Sequence, residues 1–167
     1  NAEDLTQWRR QCAELLAEPS RFTNAMSLTV AARDALVASG MRRVMILMAD
    51  RTQSNLRVNQ TFGLPKEAAA LNFVVSQSSV LQRLLAQQAQ VRINPDNNAQ
   101  FSALLPSGLR TLFRGEHLFL RSLVNNGRVI MIVVADQGGG PFADITVQAF
   151  GKTAQCIEKA LHSFSSR

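Results

Sequence analysis

Two apolar runs joined by an Asn-Gly turn constrain this chain more than any other feature. His117 to Val124 and Arg128 to Ala135 flank Asn125-Asn126-Gly127. Asn-Gly between strand-forming runs is a strong short-range signal for a hairpin. Apart from His117, Arg121 and Ser122, both runs are apolar at successive rather than alternate positions. Strands with no polar face must be covered on both sides, so this hairpin belongs inside a sheet held between two layers. Arg43-Val44-Met45-Ile46-Leu47-Met48-Ala49 reads the same way. The segment Asn55 to Phe62 differs: Leu56, Val58 and Phe62 alternate with Asn55, Arg57, Asn59 and Thr61. That alternation predicts a half-buried strand at or near an edge. The polar link 50–54 makes these two segments a second hairpin, and two hairpins make the sheet antiparallel.

Helical spacing marks both ends of the chain. Residues 3–18 carry Leu5, Trp8, Cys12 and Leu15 on one seam. A second helix runs from about Phe22 to Ser39, with Phe22, Met26, Val30, Arg33 and Val37 as its stripe and Gly40 as its stop. The last helix runs from about Phe142 to Phe164 along Ile145, Ala149, Phe150, Ala154, Ile157, Leu161 and Phe164. Between the hairpins, 66–75 has no clear period. A helix over Ser79–Gln90 opens with Ser79 and Gln82 at capping-box spacing. A short strand at Val91–Ile93, a loop at 94–98, and helical turns near Phe101–Leu105 and Leu109–Phe113 follow. The order predicts an α+β fold. Its central antiparallel sheet has about five to six strands, with long terminal helices on one face and short helices on the other.

Composition excludes several classes. The 167 residues fit one domain, and 46% hydrophobic with 18% charged residues is a folding composition. Asn1-Ala2 reads as an expression scar, and 3–167 as a single domain cut from a larger protein. No apolar run approaches the ~18 residues of a membrane span, and no secretory leader is visible. Two cysteines, Cys12 and Cys156, make neither a disulfide framework nor a metal cluster, which points to free thiols in the cytoplasm. The net charge of +6 raises the alternative of a nucleic-acid-binding module. Against it, there is one Trp and no Tyr, and the only basic pairs, Arg9-Arg10 and Arg42-Arg43, fall on separate elements.

Catalytic patterns fail on context. Gly138-Gly139-Gly140-Pro141-Phe142-Ala143 fits a dinucleotide loop in spelling, but the preceding strand lies in an antiparallel hairpin and no return strand follows. It reads instead as a flexible turn before a helix. Gly151-Lys152-Thr153 lies within a helix and lacks the P-loop glycine. His117 and His162 are the only histidines, and the carboxylates are scattered, so no catalytic group and no metal site is expected. Arg121, in mid-strand, either lines a cavity for an anion or pairs with a carboxylate such as Asp136 or Asp50. Asp50 and Asp136 each follow an Ala at a strand end, where turn capping is the ordinary role.

The order of elements resembles the GAF domain, in particular the GAF-like domain that follows an HDOD domain in bacterial signalling proteins. The residues that carry the likeness are Met45-Ile46-Leu47-Met48-Ala49-Asp50-Arg51, the hairpin from Phe119-Leu120-Arg121-Ser122-Leu123-Val124 to Gly127-Arg128, and Val134-Ala135-Asp136-Gln137-Gly138-Gly139-Gly140-Pro141. The last is similar to the YADRGGGP type of segment in that family. The resemblance, spanning about 22–164, implies a six-stranded antiparallel sheet with a pocket on one face. It also implies a regulatory role through small-molecule binding or dimerisation. No haem ligand, bilin-attachment cysteine or cyclic-nucleotide motif is evident, so no cofactor is assigned beyond an unidentified small molecule. The pocket is expected between the sheet and residues 66–115, with Met48, Phe73, Leu84, Phe119, Arg121 and Met131 as its lining. A homodimer through the terminal helices and an upstream HDOD-type domain are the expected partners. A ligand-free dimerisation scaffold is the main alternative.

Overall fold

The computed structural model describes residues 2–17, 22 and 24–165, with side chains from residue 6 onward. Helices α1 (Ala2–Leu16) and α2 (Ala25–Ala38) precede the hairpin β1 (Arg43–Ala49) and β2 (Asn55–Phe62). A middle segment follows: a 3-10 turn (Lys66–Ala70), β3 (Asn72–Val74), a second 3-10 turn (Val75–Gln77), α3 (Ser79–Ala86), β4 (Gln90–Ile93), α4 (Asn98–Ser102) and α5 (Ser107–Leu112). The hairpin β5 (Leu118–Asn125) and β6 (Arg128–Asp136) and the long helix α6 (Asp144–Ser165) complete the chain. The strands form one six-stranded sheet in the order β3-β2-β1-β6-β5-β4, with all neighbours antiparallel. The expected α+β architecture is thus the observed one.

Each internal strand feeds two cores. Val44, Ile46, Phe119, Leu123, Met131, Val133 and Ala135 face α1, α2 and α6. Met45, Leu47, Leu120, Ile132 and Val134 face the middle segment. On the helical side Phe119 stacks on Phe150 at 4.7 Å between ring centroids and meets Phe142 at 4.6 Å. Truncating a ring of this kind to Ala typically costs about 3–5 kcal/mol. Ser122, the polar exception in β5, donates to the Leu84 carbonyl at 2.5 Å and so satisfies the end of α3.

Two bulges decide which side chains reach which core. Leu47 pairs with Val58 but Ile46 pairs with Gln60, leaving Asn59 as the extra residue. Beyond the bulge, β2 reverses its faces. Phe62, expected to be buried with Leu56 and Val58, is 45% exposed. Gln60 turns inward instead, accepting from Arg33 Nη1 at 3.0 Å and lying 3.4 Å from Thr29 Oγ1. A second bulge between Leu123 and Val124 leaves Ile130 unpaired. It carries Val129 to the middle-segment side and Met131 to the helical side. The turn is the expected one: Asn126 and Gly127 have φ of 54° and 76°, the left-handed pair of a tight hairpin.

Other boundaries move for local reasons. α2 starts at Ala25, where Asn24 and Ser27 form a reciprocal capping box. Its buried face is Leu28, Thr29, Ala32, Ala35 and Leu36. The expected stripe lies beside it, with Met26 exposed, because a helix this rich in Ala and apolar residues can present several faces. α3 is capped by Ser78, not Ser79, and ends at Ala86, so 87–90 lead into β4. α6 begins at Asp144, and Phe142 fills the core from the loop before it. β3, three residues long with one buried side chain, has no period to read. The Leu5 side chain of the first seam lies outside the described residues.

The glycine-rich segment is a packed crossing rather than a flexible turn. The Gly139 carbonyl accepts from the Glu116 and His117 amides at 3.1 and 3.2 Å. A Cβ on Gly139, which has φ of 93°, would collide with the Arg114 carbonyl, and one on Gly115 would collide with the Gly139 backbone. Gly140 has nothing within 4 Å of where a Cβ would sit. Gly139→Ala is therefore expected to lose about 2–4 kcal/mol in urea unfolding, and Gly140→Ala less than about 0.5 kcal/mol. Equal effects at the two positions would refute the crossing.

Candidate functional site

The middle segment packs onto its face of the sheet through fully buried side chains. Leu81, Leu84 and Leu109 meet Leu120, Ile132 and Val134, all fully buried. The six residues expected to line one cavity are divided by the sheet. Phe73 and Leu84 lie in the middle-segment core, whereas Met48, Phe119 and Met131 pack on the helical side. Arg121 follows Phe119 by two positions along β5, so it shares the helical side. The reason is parity: in strands apolar on both faces, nothing in the sequence says which alternate set points where.

Arg121 finds neither carboxylate. Its Nη1 donates to Gln90 Oε1 at 2.8 Å, its Nε is buried without a partner, and α6 passes at Gly151. Asp50 caps its own turn, accepting from the Ser54 amide at 2.9 Å and from Asn55 and Thr52. Desolvation, the largest single influence, works against its ionisation, but the hydrogen bonds from Asn55, Ser54 and Thr52 together outweigh it and hold its carboxyl below the usual range. Asp136, fully buried, is held by Arg43: Nη2 to Oδ2 is 2.6 Å and Nε to Oδ1 is 2.9 Å. Hydrogen bonding to Asp136, outweighing desolvation, raises the Arg43 guanidinium. Arg43 Nη2 also donates to the Arg114 carbonyl at 2.7 Å, and the Gly138 amide donates to Asp136 Oδ1 at 3.1 Å. His117 packs edge-on against Phe142, its Nδ1 buried without a partner, and His162 faces Asn125 near the end of α6.

Beside the bridge and the crossing lies a cleft where the middle segment meets the β4–β5 end of the sheet. It has a volume of about 260 Å³, between the end of β4, α4, α5 and the start of β5. Ile93, Leu105, Phe113 and Leu118 give it an apolar floor, and Asn98, Ser102, Arg110 and Arg114 a polar rim. Neither Arg110 nor Arg114 is ion-paired among the described residues. Arg110 also borders a wider groove of about 550 Å³ that reaches Phe73 and Gly108. Two guanidiniums beside an apolar floor suit a small molecule with an apolar body and an anionic group. This rim carries no sequence signature. No group of three His, Cys, Asp or Glu side chains converges among the described residues. No helix there is long and apolar enough to cross a membrane.

No family model and no curated protein matches this sequence. Solved structures do match. Residues 122 to 287 of a methyl-accepting chemotaxis protein align with a TM-score of 0.72 at 15% identity, over 95% of this chain and 99% of that one. The GAF domain/HD domain protein from Geobacter sulfurreducens aligns with a TM-score of 0.66 at 18% identity, over 89% and 97%. The free methionine-R-sulfoxide reductase from Neisseria meningitidis, solved with its substrate, aligns with a TM-score of 0.67 at 16% identity, over 99% and 92%. The fold is therefore GAF-like. Since an enzyme shares it, the fold alone does not decide whether this chain catalyses a reaction.

Removing Arg43 tests the frame of the cleft. Arg43→Met leaves a buried carboxylate unpaired and is expected to lower stability by about 3–5 kcal/mol. Arg43→Met with Asp136→Leu should recover most of that loss. Denaturant unfolding of both variants measures it, and a neutral single variant would refute the role given to the bridge.

Proposed function

We propose that this chain is a non-catalytic regulatory module of a larger signalling protein, sensing a small anionic molecule at the Arg110–Arg114 cleft. The observation that carries this reading is the GAF-like fold over nearly the whole chain, shared with modules of a chemotaxis protein and a GAF domain/HD domain protein. The cleft adds the site: an apolar floor, two arginines with no ion pair among the described residues, and a volume suited to a small ligand. Arg114 sits beside the buried Arg43–Asp136 bridge, so occupancy of the cleft bears on the centre of the sheet. A cytoplasmic parent protein with an upstream HDOD domain is part of the proposal, resting on the two free cysteines and on the resemblance of the Met45–Arg51, Phe119–Arg128 and Val134–Pro141 segments.

One observation favours the scaffold alternative: the face where the pocket was expected is filled by Leu81, Leu84 and Leu109. Dimerisation in either reading would use new surfaces. Cys12, Leu15, Phe150, Ala154, Ile157 and Leu161 are all buried within the single chain. A dimer through the terminal helices would involve their outer faces, such as the exposed Arg9 and Arg10 of α1.

Native mass spectrometry of gently purified protein tests the sensor. The expected result is an added mass lost on denaturation and absent from the Arg110→Gln/Arg114→Gln variant. That variant should melt within about 3 °C of the parent, since exposed charges contribute little to stability. A bare chain or bare dimer from both proteins would favour the scaffold instead.

A further inference from the structure

The two cysteines, 144 positions apart in sequence, meet in the helical layer. α1 and α6 lie side by side and run parallel. Trp8 Nε1 donates to Thr153 Oγ1 at 2.7 Å, and one turn further along each helix that register brings Cys12 and Cys156 into electrostatic contact. Thr153 Oγ1 donates in turn to the Ala149 carbonyl at 2.6 Å, which fixes that register from inside α6. Cys12 is buried, Cys156 is half-buried, and both are free thiols. Neither is a metal ligand, and the candidate cleft does not use them. Ser or Ala would fill either position, so packing alone does not require two facing sulfurs.

We propose that Cys12 and Cys156 are a thiol-modification site that closes into a reversible disulfide between α1 and α6. The co-reactant is a low-molecular-weight disulfide of the glutathione-disulfide type. Cys156, the more accessible sulfur, attacks one sulfur of that disulfide as its thiolate. A mixed disulfide forms, and the first small thiolate leaves. Cys12 then gives up its proton and attacks Cys156 Sγ, expelling the second small thiolate. Two protein thiols are oxidised, one small disulfide is reduced to two thiols, and no other oxidant is needed. Burial first, and the neighbouring Cys156 sulfur next, push the Cys12 thiol up to about 11. Cys12 therefore serves as the resolving partner rather than the first to react. The product ties together the first and last helices, so oxidation fixes a register that otherwise depends on side-chain packing and the Trp8–Thr153 hydrogen bond.

The test is incubation of the folded, reduced protein with glutathione disulfide, followed by intact-mass and peptide analysis. The expected product is a monomer lighter by two hydrogen atoms, with the Cys12 and Cys156 peptides joined. Its Tm should rise by about 5–10 °C, since the bond closes a long loop. Cys12→Ser should stop at a single glutathione adduct on Cys156, and Cys156→Ser should leave Cys12 unmodified. Persistence of both free thiols, two glutathione adducts on one chain, or a bond between two chains would overturn the proposal. None of these readouts depends on ligand binding at the cleft.

Discussion

A carboxylate with no access to water sits at the centre of this fold. Asp136 ends β6 opposite Arg43, the first residue of β1, so their ion pair spans the two central strands. A buried charge is tolerated only when its partners are complete. Here they are supplied by three parts of the chain: the Arg43 guanidinium, the Gly138 amide, and, through Arg43, the Arg114 carbonyl. That network fixes the β1–β6 register, the path of the glycine crossing, and the place where the middle segment returns to the sheet. The Arg110–Arg114 cleft hangs from this same point.

The two sides of the sheet are organised differently. Helical packing on one side uses small residues at close approach, Ala32, Ala35 and Ala154, around a stack of three Phe rings. The other side is covered by short pieces, none longer than the eight residues of α3. Short helices derive little stability from propensity and depend on burial. Their positions are therefore set by Leu81, Leu84 and Leu109 docking on β5 and β6. This division places the Arg110–Arg114 cleft and the wider groove beside it among the short elements.

Much of the frame was legible because its signals are local. The Asn125–Gly127 turn, the strand limits of β1 and β2, and the apolar stripe of α6 from Ala149 to Leu161 all stand in the sequence, while Ile145, expected on that stripe, is exposed at the start of the helix. What was illegible depends on pairing. The extra residues Asn59 and Ile130 reverse the faces of Phe62 and Met131, and nothing near them in sequence marks the change. Phe119 and Leu84 were placed around one cavity because doubly apolar strands hide their parity. Arg110 and Arg114 went unread because a six-residue helix and the loop after it carry no period. The meeting of Cys12 and Cys156 follows only from the parallel packing of the first and last helices.

The placement of α6 bears on how the chain survives its own synthesis. Val129 to Ala135 is the most uniformly apolar, β-branched stretch of the protein, the type of segment that pairs indiscriminately when exposed. In the finished sheet it is central, and the two edges are strands of only three and four residues, too short to recruit another chain readily. Part of the cover of its hairpin comes from α6, the helix of this fold that is synthesised after it. Until those 22 residues emerge, one face of the central hairpin lacks the part of its cover that α6 supplies, which makes this interval of translation a period of exposure to aggregation and to chaperones.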